Sequence, residues 1–183
     1  MRLQRVHRAL SIAVGLAAVS SAVTVPSMAA SQPTFDVVAK GRVGFGCAKG
    51  GQFPNCKPFV YLLTGTAPAS GTPIGEHGTF NTRESATPIS KTHNRIDGHA
   101  VVTAADGDKI FIHYTGLSPA PAADKTGVGH LNDDLRFSIT GGTGRYAGAQ
   151  GSGRLTATGA VYYDKRPTIV SSKLLGTIKT HAS

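Results

Sequence analysis

The chain has 183 residues, of which 23 are glycine, 10 are proline and none is tryptophan, and its 19 lysines and arginines outnumber 10 acidic residues. That length suits one domain around one core, and the density of glycine and proline excludes a helical bundle. The basic excess serves solubility or favours anionic partners such as cell-wall polymers, but the cations are scattered and lack the interleaved aromatic platforms that nucleic-acid binding requires.

In chain order, the first segment reads "MRLQRVHRALSIAVGLAAVSSAVTVPSMAAS". Arg2, Arg5 and Arg8 precede an apolar run, and Ser27 and Ala29 satisfy the small-x-small cleavage rule. This pattern predicts a secretory signal peptide over residues 1–29, cut after Ala29, and a single domain over 30–183. The competing reading, an uncleaved anchor, is weakened by the serines that interrupt the run and by its shortness for a full span. No later segment is long and apolar enough to cross a membrane. The expected location is therefore extracellular, with no membrane association after cleavage.

Cys47 and Cys56 stand in "GFGCAKGGQFPNCKPF". In an oxidising compartment a disulfide is the default, and Gly50, Gly51 and Pro54 suit the turn between them. Two cysteines are too few for a structural metal site, and the spacing is not the C-x-x-C of a catalytic thiol pair.

Strand signals dominate the rest. Segments 36–45, 58–66, 75–82, 96–104, 108–116, 135–140, 153–163 and 168–179 are short, rich in Val, Ile, Thr, Tyr and Phe, and separated by turn residues. "HAVVTAADGDKIFIHYTG" predicts a hairpin closed by Asp106-Gly107 in a type I′ turn. Beyond it, Ile110, Ile112 and Tyr114 share one face, and Phe111, His113 and Thr115 share the other. Apolar groups on both faces predict a strand with neither face fully wet, as in a small closed barrel with a lined cavity. "SPAPAADKTGVGHLND", Ser118 to Asp133, reads as a long polar connection, either a binding lid or a plain surface loop. Within it, Asp133 and Asp134 read as turn residues before the strand at 135. On a strand they would face opposite sides, a poor arrangement for a glycosidase pair.

"FSITGGTGRYAGAQGSGRLTATG" begins as a strand and turns into glycine. Gly142, Gly144 and Ala147 carry the letters of a dinucleotide fingerprint, but that loop must open a helix. A helix through Gly148, Gly151 and Gly153 would not form, so the segment reads as a turn. Gly141, Gly142, Gly144, Gly148 and Gly151 supply positive φ and sharp strand bends.

With "AADGDKIFIHYTG" and "GEHGTF" before it, "FSITGGTGRYAGAQGSGRLT" resembles the allene oxide cyclase barrel-like group, which includes plant dirigent proteins and secreted bacterial relatives. The resemblance covers roughly Glu76 to Ala160. It implies an eight-stranded antiparallel β-barrel with an apolar central cavity. It also implies one of two cofactor-free activities: isomerising an unstable epoxide, or binding radical or quinone-methide intermediates and steering their coupling. The motif residues that align are structural glycines, so no catalytic residue carries over.

No HExxH pair, G-x-S-x-G elbow or other catalytic motif is present. His93 and His99 could meet a third histidine in space, but no metal site is assigned from the sequence. The candidates for lining a cavity are polar groups in expected strands: Tyr61, His113, Tyr114, Arg136 and Tyr163, with Tyr162 beside them. A polar group inside an apolar barrel must find a partner or a ligand. Alternation alone leaves open whether each points inward or covers the outside.

The expectation is thus a secreted all-β protein, an eight-stranded antiparallel barrel. It would bind or steer a small apolar or phenolic molecule in its cavity without a cofactor. A cofactor-free isomerase using His113, Arg136 or a tyrosine, and a cell-surface interaction protein using the basic surface, are the alternatives. Homo-oligomerisation is left open.

Overall fold

The structure is a computed structural model that describes residues 34–49, 51–52, 55–56, 60–162 and 168–180. The expected signal peptide, and Tyr163 among the cavity candidates, lie outside the described residues. The described part is all-β apart from one turn of 3₁₀ helix, Gly144–Tyr146. Its strands are β1 (Thr34–Cys47), β2 (Gly51–Gln52), β3 (Asn55–Cys56), β4 (Tyr61–Thr72), β5 (Gly75–Pro88), β6 (His93–Thr103), β7 (Lys109–Pro119), β8 (Val128–Gly142), β9 (Gln150–Tyr162) and β10 (Thr168–Lys179).

Eight of these close a barrel in the order β1-β10-β9-β8-β7-β6-β5-β4, and β4 pairs back onto β1. Every neighbouring pair is antiparallel. β2 and β3 form a separate two-stranded ribbon, tied to the end of β1 by the Cys47–Cys56 disulfide. Closure leaves no barrel strand with an unpaired edge, which removes a template for aggregation.

Period-two alternation fixes which side of each strand is buried. Val37 and Ala39 on β1, Ile110, Ile112 and Tyr114 on β7, and Leu135, Phe137 and Ile139 on β8 point inward and are buried. Each fully buried Ile or Leu of this set contributes about 1.5–3 kcal/mol relative to exposure. The expectation that neither face of the 108–116 strand is wet is corrected here. Ile110, Ile112 and Tyr114 pack inside, while Phe111, His113 and Thr115 look out, with Phe111 37% exposed.

The two ends of the barrel differ. At one end lie the β4–β5, β6–β7 and β8–β9 connections, and the interior is filled. Phe35 packs on Phe137 with ring centroids 5.6 Å apart, and Ile74, Ile110, Ile139 and Ile178 are buried around them. Tyr146, from the 3₁₀ turn, donates its hydroxyl to Pro73 O at 2.9 Å and caps this end. At the other end lie the disulfide excursion after β1 and the β5–β6 and β7–β8 connections, and here the interior is not filled.

The glycine-rich segment is a strand–turn–strand. After β8 the chain makes the single 3₁₀ turn and enters β9, so no helix follows to bind a pyrophosphate. Gly144 has φ +53°, and a Cβ there would lie 1.8 Å from Asp108 Oδ1. That carboxylate accepts from the Arg145 backbone N–H through Oδ2 at 3.0 Å, so the glycine is what lets Asp108 pin the turn. Gly141 and Gly148 also have positive φ. Gly142 and Gly151 are close approaches, where a Cβ would meet Lys109 O at 2.3 Å and Thr177 O at 2.1 Å respectively.

Two other local expectations are corrected. The β6–β7 turn closes through Gly107 N–H to Ala104 O at 2.9 Å, so its central pair is Ala105-Asp106 and Gly107 follows with φ 91°. This is the longer hairpin loop with a glycine after the turn, not the two-residue type I′ loop. The expected connection from Ser118 to Asp133 is shorter than read, because β7 runs to Pro119 and β8 starts at Val128, which makes half of it strand. Asp133 and Asp134 are therefore strand residues on opposite faces. Asp133 is buried, and Asp134 lies outside, paired in bidentate fashion with Arg154.

Candidate functional site

The unfilled end of the barrel holds a cavity of about 230 Å³. Phe45 on β1, Leu63 on β4, Ile96 on β6, Leu131 on β8 and Val161 on β9 supply its apolar walls. Tyr61 stands at its rim, half-buried on the same inward face as Leu63. Polar groups enter from the strands at Glu84 on β5, Asn94 on β6 and Ser118 on β7, and Ser90 and Lys91 of the β5–β6 connection border the cavity as well. Below it, towards the barrel centre, a smaller void of about 30 Å³ is bordered by Thr82, Glu84, Tyr114 and Asp133. Glu84, Leu63 and Leu131 border both spaces, so Glu84 sits at the floor of the larger one.

The strand register builds the polar floor. Phe80, Thr82, Glu84 and Ala86 alternate inward along β5. Gly98 on β6 faces Tyr114 on β7 across the ladder. A Cβ at Gly98 would lie 2.3 Å from Tyr114 Cζ, so only glycine leaves room for the phenol ring to lie across β6 and reach β5. There the Tyr114 hydroxyl donates to Glu84 Oε2 at 3.1 Å and shares a 2.6 Å hydrogen bond with Thr82 Oγ1. From the opposite wall Asp133 accepts a hydrogen bond from Ser118 Oγ.

These are acids in an apolar interior, and burial disfavours their charged forms. Burial pushes the Glu84 carboxyl up to about 8; the charge of Asp133 adds to this, and the Tyr114 hydrogen bond opposes it. Burial also raises Asp133, against the hydrogen bond from Ser118. The Tyr114 phenol is raised by burial and then by the Glu84 charge. At neutral pH Glu84 is therefore a carboxylic acid with a proton to donate, and Tyr114 a neutral phenol. The floor can offer hydrogen bonds to an oxygen-bearing ligand and can hold a proton beside it. The floor itself disfavours an anion, while Lys91 supplies a cation where the β5–β6 connection borders the cavity.

Of the sequence candidates, Tyr61 and Tyr114 belong to this interior. His113 and Arg136 do not, which corrects their assignment to the cavity. His113 lies on the outer face of β7 and bonds Asp97 Oδ1 through Nε2 at 3.0 Å. Arg136 lies exposed between the inward Leu135 and Phe137. Tyr162 follows the inward Val161 and alternates outward, half-buried.

Sequence reasoning missed Glu84, Asp133, Ser118 and Asn94. The signal was available. Glu84 falls in phase with Phe80, and Asp133 in phase with Leu135, Phe137 and Ile139. With fold and site in view, no protein-family model matches the chain, and no curated protein and no solved structure matches it either.

Proposed function

We propose that this protein is a secreted binding barrel that takes up a small, mainly apolar molecule bearing a phenolic or other uncharged oxygen, without a cofactor, in the manner of the allene oxide cyclase and dirigent group. The observation that carries the reading is the cavity of about 230 Å³ with apolar walls and Glu84 at its floor. Its size is sufficient: an engineered apolar cavity of roughly 150 Å³ already takes up benzene. The chemistry of its floor favours neutral oxygen over carboxylate or phosphate, because Glu84 and Asp133 are acids held in a poorly solvated interior. The disulfide supports an oxidising compartment.

Calorimetric titration with a panel of para-substituted phenols tests the reading. The expected result is one site per chain, abolished in Ala86→Phe, whose ring would occupy the cavity from β5. Failure of every phenol to bind, or undiminished binding to Ala86→Phe, would overturn it.

One observation favours a second reading, a cofactor-free isomerase or cyclase. Glu84 retains its proton near neutrality beside the cavity, as a general acid requires. On this reading Glu84→Gln keeps ligand affinity and loses turnover of a reactive epoxide or quinone methide. Equal turnover in that variant would reject it.

A further inference from the structure

The outer wall of the barrel carries a separate constellation. Asp97 and His99 are alternate residues of β6, so both point outward past the inward Gly98. His113 on β7 is paired with His99 across the ladder. The two imidazole rings stack with centroids 4.7 Å apart, and His113 Nε2 lies 3.0 Å from Asp97 Oδ1. One ligand atom from each of the three residues falls within 4.8 Å of the others. His93, six residues back along β6, is about 20 Å away at the strand rise and takes no part.

We propose that Asp97, His99 and His113 form a binding site for one divalent transition-metal ion of the zinc or copper type. Two imidazoles and a carboxylate are the donor set that such ions prefer, and the nitrogen donors disfavour calcium and magnesium, which take oxygen ligands. Two ligands at about 2.1 Å from one ion stand at most about 4.2 Å apart. The observed cluster closes to that span by a small side-chain rotation, which exposed residues can make. The antiparallel ladder does the positioning: directly opposed residues hold their Cβ atoms about 4.5–5.5 Å apart, so His99 and His113 cannot drift apart while β6 and β7 remain paired. Three protein ligands leave a coordination position open to water or to a further ligand.

The surroundings moderate affinity without blocking the site. Arg83 on β5 stands opposite His99, and Arg136 on β8 stands opposite Thr115, two residues from His113. Both cations oppose a bound dication. Ser138, opposite His113 itself, carries no charge.

The test is titration of tag-free protein with Zn²⁺, and separately with Cu²⁺, by calorimetry. The expected result is one ion per chain, with affinity reduced more than about tenfold in His99→Gln and in His113→Gln, the lower end of what even outer-shell losses cost. His77→Gln and His130→Gln, at exposed positions elsewhere, should bind as the parent does. All four positions are on the surface, and thermal melts would verify that the variants fold. In parallel, the His99 and His113 imidazole resonances should shift together on adding Zn²⁺. Absence of stoichiometric binding, binding that survives loss of either histidine, or shifts confined to other histidines would overturn the proposal.

Discussion

Glu84 keeps its proton in a pH range where an exposed glutamate has lost it, and this ties the stability of the fold to pH. In the unfolded chain the carboxyl titrates near its ordinary value of 4.5, and in the barrel near 8. Between these values the folded protein binds more protons than the unfolded one, so stability falls as pH rises through that window. The contribution is complete below about pH 4.5 and gone above about pH 8. Asp133, raised by the same burial, acts with the same sign. Glu84→Gln cannot ionise and still offers an oxygen to the Tyr114 hydroxyl. It should flatten the decline of Tm between pH 5 and 8 and be the more stable protein above pH 8, by on the order of a few kcal/mol. Melting curves across that range measure this directly. Parallel slopes for parent and variant would mean that Glu84 is already ionised in the folded state, and that the cavity floor carries charge.

At the level of the strand, β6 and β7 are where packing and site depend on one another. The Tyr114 ring occupies the space that a side chain at position 98 would need. Gly98→Ala should displace the ring, loosen its hydrogen bonds to Glu84 and Thr82, and lower stability by about 1–3 kcal/mol, the range for overpacking. Gly46→Ala, where nothing lies within 4 Å of the added carbon, should change stability by less than about 0.5 kcal/mol. Urea denaturation of the two variants separates steric conflict at Gly98 from a general cost of replacing glycine in these strands. The same elements explain what was legible in the sequence. The eight barrel strands, the hairpin between β6 and β7 and the structural role of the glycine segment could be read, because β-branched alternation and turn residues report backbone geometry directly. Strand ends could not. The sequence ends the 75–82 strand where Thr82 and Glu84 replace apolar residues on the inner face, and it reads 118–133 as a loop because Asp133 and two prolines interrupt its pattern. A polar barrel interior erases the contrast that alternation relies on, and it does so where the candidate site is built. For His113 and Arg136 the alternation alone leaves the face open; the burial of Ile112, Tyr114, Leu135 and Phe137 on the inner side settles that both look outward.

At the scale of the whole molecule, a closed ladder holds the barrel together, and the disulfide ties the end of one barrel strand to the ribbon beside it. Cys47 ends β1 and pairs in register with Tyr61, the first residue of β4, while Cys56 belongs to the β2–β3 ribbon. The bond therefore restrains the excursion between two neighbouring barrel strands at the end that holds the cavity. Phe45 and Tyr61, which line that cavity, flank the excursion on either side. In the chain-entropy account a loop this small contributes roughly 2–3 kcal/mol, while the hydrogen bonds that join β1 to β10 and β4 do not depend on it. The Cys47→Ser, Cys56→Ser double variant should keep the far-ultraviolet circular dichroism of the barrel and lose about 5–10 °C in Tm, at the sensitivity usual for a domain of this size. Its affinity for a phenol that binds the parent should fall as well, because Phe45 and Tyr61 would be held less firmly at the rim. Loss of the β signal on reduction would mean that barrel closure depends on the disulfide. Unchanged Tm and affinity would mean that the excursion is ordered by its own packing, and that the rim needs no covalent support.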